Sequence, residues 1–374
     1  MGPVRYHEGR FPPDRLDWPT LIPLLGPTAA AVARYDGVLA AIPNPNLLLA
    51  PLATQEAVLS SLIEGTRTTM GEVLEFEAGR EAESPDRLND IREVLNYRAA
   101  MREAERLLAE LPFSQRVVRE AHKVLLSDVR GRNASPGEYR KVPNWIGPPS
   151  STIEQATFVP ISADKLPEAL SAWERYAHSN QPDRLVQTAI LHAEFEALHP
   201  FLDGNGRVGR MLVPLLMWQA GLVLRPMFYI SAYFETHRDA YYSRLLAVSR
   251  DGDWTGWCRF FLEAVQAQAE DNLAKAKAIL SLYESMKHRM AEMTHSQYAI
   301  HALDWIFSRP IFSSSDFASE AGIPAPTARR ILSVLCDEEV LAVLSPASGR
   351  RAARLTFPKL IEISEGREPL DDHA

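Results

Sequence analysis

Apolar residues recur at every third or fourth position over residues 54–70, 86–110 and 113–127, and again over 164–180, 183–198, 205–220, 231–249 and 254–290. That spacing marks helices with one buried face. Few segments alternate strictly, as a half-buried strand would, so the pattern predicts an all-α chain. Residues 1–50 are rich in proline and carry little periodicity before about Leu21, which predicts an extended arm leading into helical structure. Residues 131–160 break the pattern, because GRNASPGEYRKVPNWIGPPSSTIEQATFVP is dense in Pro, Gly, Ser and Asn. These residues form turns, and so long a connection inside a compact domain is usually functional. A short hairpin or flap is expected near Thr157–Pro160.

From about Ser296 the rhythm changes. Three short helical segments, near 297–308, 314–321 and 326–338, precede VLAVLSPASGRRAARLTF, which predicts two strands around a glycine-containing turn. Three helices and then a hairpin is the order of a winged helix, and Pro324 and Pro326 stand where a helix start tolerates them. The pattern divides the chain into residues 1–110, an arm and helical region, 111–290, a central helical core, and 296–374, the winged-helix-like part.

Composition narrows the class. Of the 374 residues 46% are hydrophobic and 24% charged, an ordinary globular balance. The formal charge of −8 argues against a nucleic-acid scaffold. Cys258 and Cys336 are too far apart in sequence to suggest a disulfide framework or a cysteine zinc site, so a reducing, cytoplasmic setting is expected. The first residues, MGPVRYHEGRFPPDRLDW, lack the apolar core of a signal peptide. The longest apolar run, residues 211–224, is too short to span a bilayer and is interrupted by Pro214 and Gln219, so no membrane association is expected.

The chemistry concentrates in HPFLDGNGRVGR, residues 199–210. Gly204, Asn205 and Gly206 form a turn ahead of a helical pattern, with Asn205 suited to cap it. Glycines before a helix leave backbone N–H groups free to face an anion. Arg207 and Arg210 share a face in the first turns, where cations oppose the helix dipole. An anion would resolve that conflict, and guanidinium groups suit phosphate. Asp203 could hold Mg2+ beside such a cradle. His199 could take a proton from an attacking hydroxyl. A base, a metal ligand, an anion cradle and two cations within twelve residues suit phosphoryl or nucleotidyl transfer.

At these residues the sequence resembles the Fic family, whose pattern HPFx(D/E)GNGRxxR it matches at all nine specified positions. The resemblance implies a Fic-type helical core using ATP and Mg2+ to transfer AMP to a Tyr, Thr or Ser hydroxyl of a protein. In that reading His199 is the general base, Asp203 the metal ligand, and Gly204, Asn205, Gly206, Arg207 and Arg210 bind the phosphates, with Phe201 as a core anchor. SSLIEG, residues 60–65, resembles the family's inhibitory pattern (S/T)xxxE(G/N). It would place Glu64 against Arg210, with Ser60 on the same helical face and Gly65 as a C-terminal cap. NWIGPPSSTIEQATFVP, residues 144–160, resembles the family's flap, whose Thr157, Phe158 and Val159 would pair with a target segment. SAYFETHRDAYYSRL, residues 231–245, resembles the helix behind the nucleotide, with Tyr241 and Tyr242 as contacts to the base or ribose. The implied partners are ATP, a hydroxyl-bearing target protein, the chain itself and a homodimer or larger homo-oligomer.

Other residues carry less. His192 and Glu196 lack the second histidine of a zinc motif, and Trp254, Trp257, Phe260 and Phe261 form a core stripe. Arg329, Arg330, Arg350, Arg351 and Arg354 fall on the third helix and the hairpin of the C-terminal part, as in a DNA-binding winged helix. Asp337, Glu338 and Glu339 close the same helix and favour a protein-interaction module over DNA binding. Competing readings are a nucleotide-sensing transcription regulator, or a Fic-fold transferase that uses another donor or removes AMP.

Overall fold

A computed structural model describes residues 2–42, 44–127, 129, 134–148, 151–349 and 351–367. Arg350 and part of the 131–160 segment lie outside the described residues. In chain order the helices are α1 (Trp18–Ala41), α2 (Pro45–Leu48), α3 (Ala50–Ile63), α4 (Met70–Glu77), α5 (Pro85–Leu108), α6 (Gln115–Leu125), α7 (Leu166–His178), α8 (Arg184–Leu198), α9 (Asn205–Gln219), α10 (Ser231–Thr236), α11 (Arg238–Asp251), α12 (Trp254–Thr294), α13 (Ala299–Ser308), α14 (Ser314–Glu320), α15 (Ala325–Asp337) and α16 (Pro358–Glu365). The strands are β1 (Val4–Arg5), β2 (Phe158–Val159), β3 (Ile311–Ser313), β4 (Ala342–Ser345) and β5 (Arg354–Thr356). The chain is mostly helical, and among the described residues no helix is long and apolar enough to cross a membrane.

Two stretches refine the periodic reading. The proline-rich N-terminal region is helical from Trp18, with Pro23 and Pro27 inside α1. Both prolines are exposed and stand four residues apart on one face, so water can satisfy the carbonyls they leave without an N–H donor. The helical spacing over 54–70 covers α3, which stops before the expected Gly65 cap, and the first residue of α4. Gly65, at φ +95°, ends the first helix. A Thr69–Glu72 capping box starts the second, with Glu72 N–H donating to Thr69 Oγ1 at 3.2 Å and Thr69 N–H to Glu72 Oε2 at 2.8 Å.

The residues cluster into two units. The first comprises Met1–Asp36, Leu59–Thr66 and Leu95–Glu270, and the second Gly37–Val58, Arg67–Val94 and Asp271–Ala374. They interleave along the chain, whereas the sequence pattern divides it into consecutive spans.

In the first unit α8 is the axis. It packs against α7, α9 and α11. Two buried indoles grip its carbonyls: Trp173 Nε1–H donates to Leu191 O at 2.9 Å, and Trp257 Nε1–H to Ala189 O at 2.7 Å. The N-terminal arm is docked on the same helix. β1 lies parallel to β2, with Val4 opposite Phe158 and Arg5 opposite Val159. Tyr6 Oη–H donates to Glu194 Oε1 at 2.6 Å. The His7 imidazole bridges Glu194 Oε2 at 2.9 Å and Ser249 Oγ at 2.8 Å, and both its side chain and that of Glu194 are shut off from solvent.

In the second unit β3, β5 and β4 form an antiparallel three-stranded sheet in that order, packed with α13, α14 and α15. The strand β3 and the helix α16 had no sequence signal. Ile306, Phe307, Phe312, Phe317, Ile331, Leu335 and Leu355 fill its core. Arg330 Nη1–H donates to Thr294 O at 2.8 Å at the end of α12, and Arg354 Nε–H to Ser345 Oγ at 2.9 Å. Two of the basic side chains of this part therefore hold their own fold.

A buried carboxylate stripped of its partner is costly. His7→Ala is expected to lower the unfolding stability of the first unit by about 2–4 kcal/mol, and Tyr6→Phe by about 1 kcal/mol. Urea unfolding followed by tryptophan fluorescence measures both. Unchanged midpoints would mean the arm does not dock.

Candidate active site

The site is built where α8 stops and α9 starts. Asp183 caps the N-terminus of α8, accepting from Val186 N–H at 2.9 Å. At the other end His199 is the C-cap residue, in the left-handed region at φ 47° and ψ 60°. That conformation costs a non-glycine residue about 1–2 kcal/mol, so the surroundings must enforce it.

The following loop is pinned from below. Phe201 is fully buried and stacks on the His122 ring, with centroids 3.6 Å apart and planes 10° apart. His122 Nδ1 accepts from Gly137 N–H at 2.9 Å, so Nε2 carries the proton and donates to Asp203 O at 3.0 Å. Burial lowers the His122 pKa to about 4, which matches this neutral tautomer. Asn144 Nδ2–H reaches Phe201 O at 3.0 Å. Neither His122 nor Asn144 stands out in sequence, since each acts through backbone atoms of a loop far away along the chain.

Gly204, at φ 77°, is the N-cap of α9, and Asn205 is the first helical residue rather than the cap. The Asn205 side chain instead closes the loop. Its Oδ1 accepts from Phe201 N–H at 2.8 Å and its Nδ2–H donates to Phe201 O at 2.9 Å. The side chain is thus spent on the loop, and only the backbone of Asn205 remains for an anion. Asp203 is half-buried; its Oδ1 accepts from Gly204 N–H at 2.6 Å and lies 3.7 Å from Arg207 Nη2.

The N-terminal turn of α9 carries the N–H groups that no helix can satisfy internally. A carboxylate already sits there. A Cβ built on Gly206 would stand 2.1 Å from Glu64 Oε1 and 3.0 Å from Arg210 Nη1, so only glycine leaves room for this contact. Glu64 Oε1 is 2.7 Å from Arg210 Nη2. Arg210 is almost wholly buried, and it also donates from Nε to Ser60 Oγ at 2.9 Å and from Nη2 to Ser60 O at 2.8 Å. Gly65 N–H donates to Leu62 O at 2.9 Å and turns the chain away after Glu64. Arg238, from the start of α11, donates to Ile63 O.

The electrostatics follow from this packing. Burial works to raise the Glu64 carboxyl, but the Arg210 guanidinium, its hydrogen bond and the Arg207 charge hold it below its ordinary value. Burial lowers the His199 pKa to about 4, against the raising influence of Glu64, so the imidazole is neutral at neutral pH. Behind them Glu196 has its Oε1 cut off from solvent without a hydrogen-bond partner, and burial pushes this carboxyl up to about 7. It fits against Gly209, where a Cβ would stand 2.1 Å from Glu196 Oε1.

Two expected contacts are corrected. Tyr241 is fully buried with its hydroxyl 3.0 Å from His192 Nε2, so it packs the core and cannot touch a base. Tyr242 is 38% exposed and lies within the field of Glu64 and Arg210. Phe158 and Val159 are buried, and the β2 backbone is paired on both sides. Ile146 N–H donates to Phe158 O at 2.9 Å and Tyr6 N–H to Val159 O at 2.9 Å. The exposed Thr157 is similarly engaged, its carbonyl accepting from Val4 N–H at 3.2 Å and its N–H donating to Ile146 O at 2.8 Å. The arm therefore fills the edge that a target segment would need at these three residues.

A buried helical hairpin that ends in a strained histidine and opens, through a glycine turn, into an arginine-bearing helix is a Fic fold. The chain belongs to the Fic/DOC family: the family's N-terminal model matches residues 22–106 and its Fic/DOC model residues 112–217. It is similar to a solved Fic family protein from Desulfovibrio desulfuricans G20, with a TM-score of 0.59 and 22% identity over 92% of this chain and 98% of that one. A Fic domain containing signaling protein from Bacteroides thetaiotaomicron VPI-5482 superposes with a TM-score of 0.52 and 19% identity over 67% of this chain and 97% of that one. Protein adenylyltransferase Fic of Drosophila grimshawi is 24% identical over 208 residues, 54% of this chain and 39% of that protein. The Drosophila yakuba protein of the same name is 24% identical over 210 residues, 54% of this chain and 38% of its own length. The chain thus spans about two fifths of these curated relatives.

Asn205→Ala removes both bonds that close the loop. It is expected to cost about 1–2 kcal/mol and to speed hydrogen exchange at the Phe201 amide, as followed by mass spectrometry. An amide that exchanges at the parent rate would show that another group closes the loop.

Proposed function

We propose that this chain is a protein adenylyltransferase, transferring AMP from ATP to a Tyr, Thr or Ser hydroxyl of a protein and restrained by its own Glu64. One observation carries the reading. A carboxylate occupies the glycine-opened N-terminus of α9 and is clasped by Arg210. A site that draws in a carboxylate at a helix N-terminus is built for anions. The relatives named protein adenylyltransferase support the same chemistry.

In this reading the neutral His199 imidazole takes the proton of the target hydroxyl. The target oxygen bonds to the α-phosphorus, the bond to the β-phosphate oxygen breaks, and pyrophosphate leaves. Arg207 and Arg210 hold the terminal phosphates, and the backbone of Gly204, Asn205 and Gly206 lines the phosphate cradle. No group of three or more potential metal-ligating side chains occurs among the described residues. Asp203, beside the cradle, would hold a Mg2+, which would supply charge neutralisation to bound phosphates. The target protein, or the chain itself, supplies the hydroxyl.

Incubation with α-labelled ATP and Mg2+ tests this directly. Glu64→Gly is expected to raise AMP incorporation by on the order of tenfold or more, while His199→Ala in that background abolishes it. Equal incorporation by parent and Glu64→Gly would reject the restraint, and none by either would reject the transferase.

The acid limb of the pH profile is a second test. Protonation disables His199 as a base, so rate falls only as pH drops through its pKa of about 4. Removing Glu64 removes an influence that raises this pKa. For Glu64→Gly, kcat/KM should therefore stay level between about pH 6 and 8. A limb centred near the ordinary histidine value would contradict the buried imidazole.

A further inference from the structure

We propose that Arg140 is the positioning residue that holds His199 in its working orientation. Arg140 lies in the loop after α6, and its side chain is 3% exposed. It spends its donors on backbone carbonyls. Nε–H donates to His199 O at 3.0 Å, Nη2–H to Leu198 O at 3.3 Å and to Ile161 O, and Nη1–H to Val142 O at 3.3 Å. The Arg140 N–H adds a bond to Pro200 O at 2.9 Å. One residue thus collects the carbonyls of Leu198, His199 and Pro200, the three consecutive groups at which α8 ends and the reactive loop begins.

These are the carbonyls a helix C-terminus leaves without partners, and the negative end of the dipole favours a cation there. Among the described residues no carboxylate pairs with Arg140. Burial alone acts on it and brings its pKa down to about 10, so it stays charged at neutral pH. A buried cation held by carbonyls alone is an expensive way to close a loop. What it secures is the His199 backbone at φ 47°, in a region that a non-glycine residue leaves unless it is tied down. Only a planar fork reaches these carbonyls together, since an ammonium is a point donor. Asn144 Nδ2–H, 3.4 Å from His199 O, is a weaker second tie.

The kinetic arm of the test rests on the adenylyltransferase reading; a second arm does not. In a Glu64→Gly background, Arg140→Ala should retain Mg-ATP affinity within about threefold but lose AMP transfer by about a hundredfold or more. Millimolar guanidinium should restore part of the transfer to Arg140→Ala and none to His199→Ala. Transfer at the parental rate, affinity and turnover falling in equal proportion, or no response to guanidinium would each overturn the proposal. Arg140→Lys keeps the charge and guards against misfolding. With 13C-labelled histidine and no nucleotide, the His199 ring signal should move or split in Arg140→Lys, while the His122 and His192 signals stay in place. An unmoved His199 signal overturns the proposal whether or not any AMP is transferred. A Glu64→Gly protein that transfers nothing, with a moved His199 signal, would sink the functional reading and leave Arg140 its role.

Discussion

The arrangement depends on a concentrated positive end. The first turn of α9 presents backbone N–H groups, the dipole of a fifteen-residue helix and the side chains of Arg207 and Arg210 to one small volume. Such a concentration demands an anion. In this chain Glu64 supplies one from 146 residues away, and its carboxylate approaches Gly206 so closely that no side chain could stand there. The neighbouring features read as consequences. Arg210 can be buried because Ser60 and Glu64 satisfy it, and α3 can stop at Ile63, just before Glu64, because Gly65 turns the chain away. Clasped by Arg210, the Glu64 side chain is still about a third exposed.

A second constraint operates on the other side of the loop. His199 is placed by backbone atoms, not by side-chain partners: its ring has a buried Nδ1 without a hydrogen-bond partner, while its carbonyl is taken by Arg140 and its neighbours by His122, Asn144 and Asn205. The rigidity around His199 is thus invested in the chain beneath it.

The loop of residues 199–210 stands out in the sequence because its parts lie within twelve residues and their types conflict unless an anion is present. The helices stand out too, since an amphipathic helix repeats its signal over several turns. What the sequence hides acts across distance. Arg140, His122 and Asn144 each serve one or more carbonyls of a segment about sixty to eighty residues away, and a carbonyl has no sequence identity. Tyr241 and Tyr242 are neighbours of the same type, yet one is core and the other surface, a difference only the helix's rotation against α8 decides. The prolines inside α1 are tolerated because the bonds they forgo face water.

The flap gives the sharpest case of local sequence overruled by the rest of the chain. Thr157, Phe158 and Val159 have the composition of an edge strand, and alone they would offer N–H and C=O groups to any extended peptide. The N-terminal arm reaches them first. It is anchored a few residues on, where Tyr6 and His7 close on the buried Glu194, and that anchor lies on α8, the helix that ends in His199. The strand and the reactive histidine are therefore registered to one rigid element by way of the arm. The separation between this strand and His199 is set by α8, and the arm's contribution is to remove the freedom with which a two-residue strand would otherwise drift.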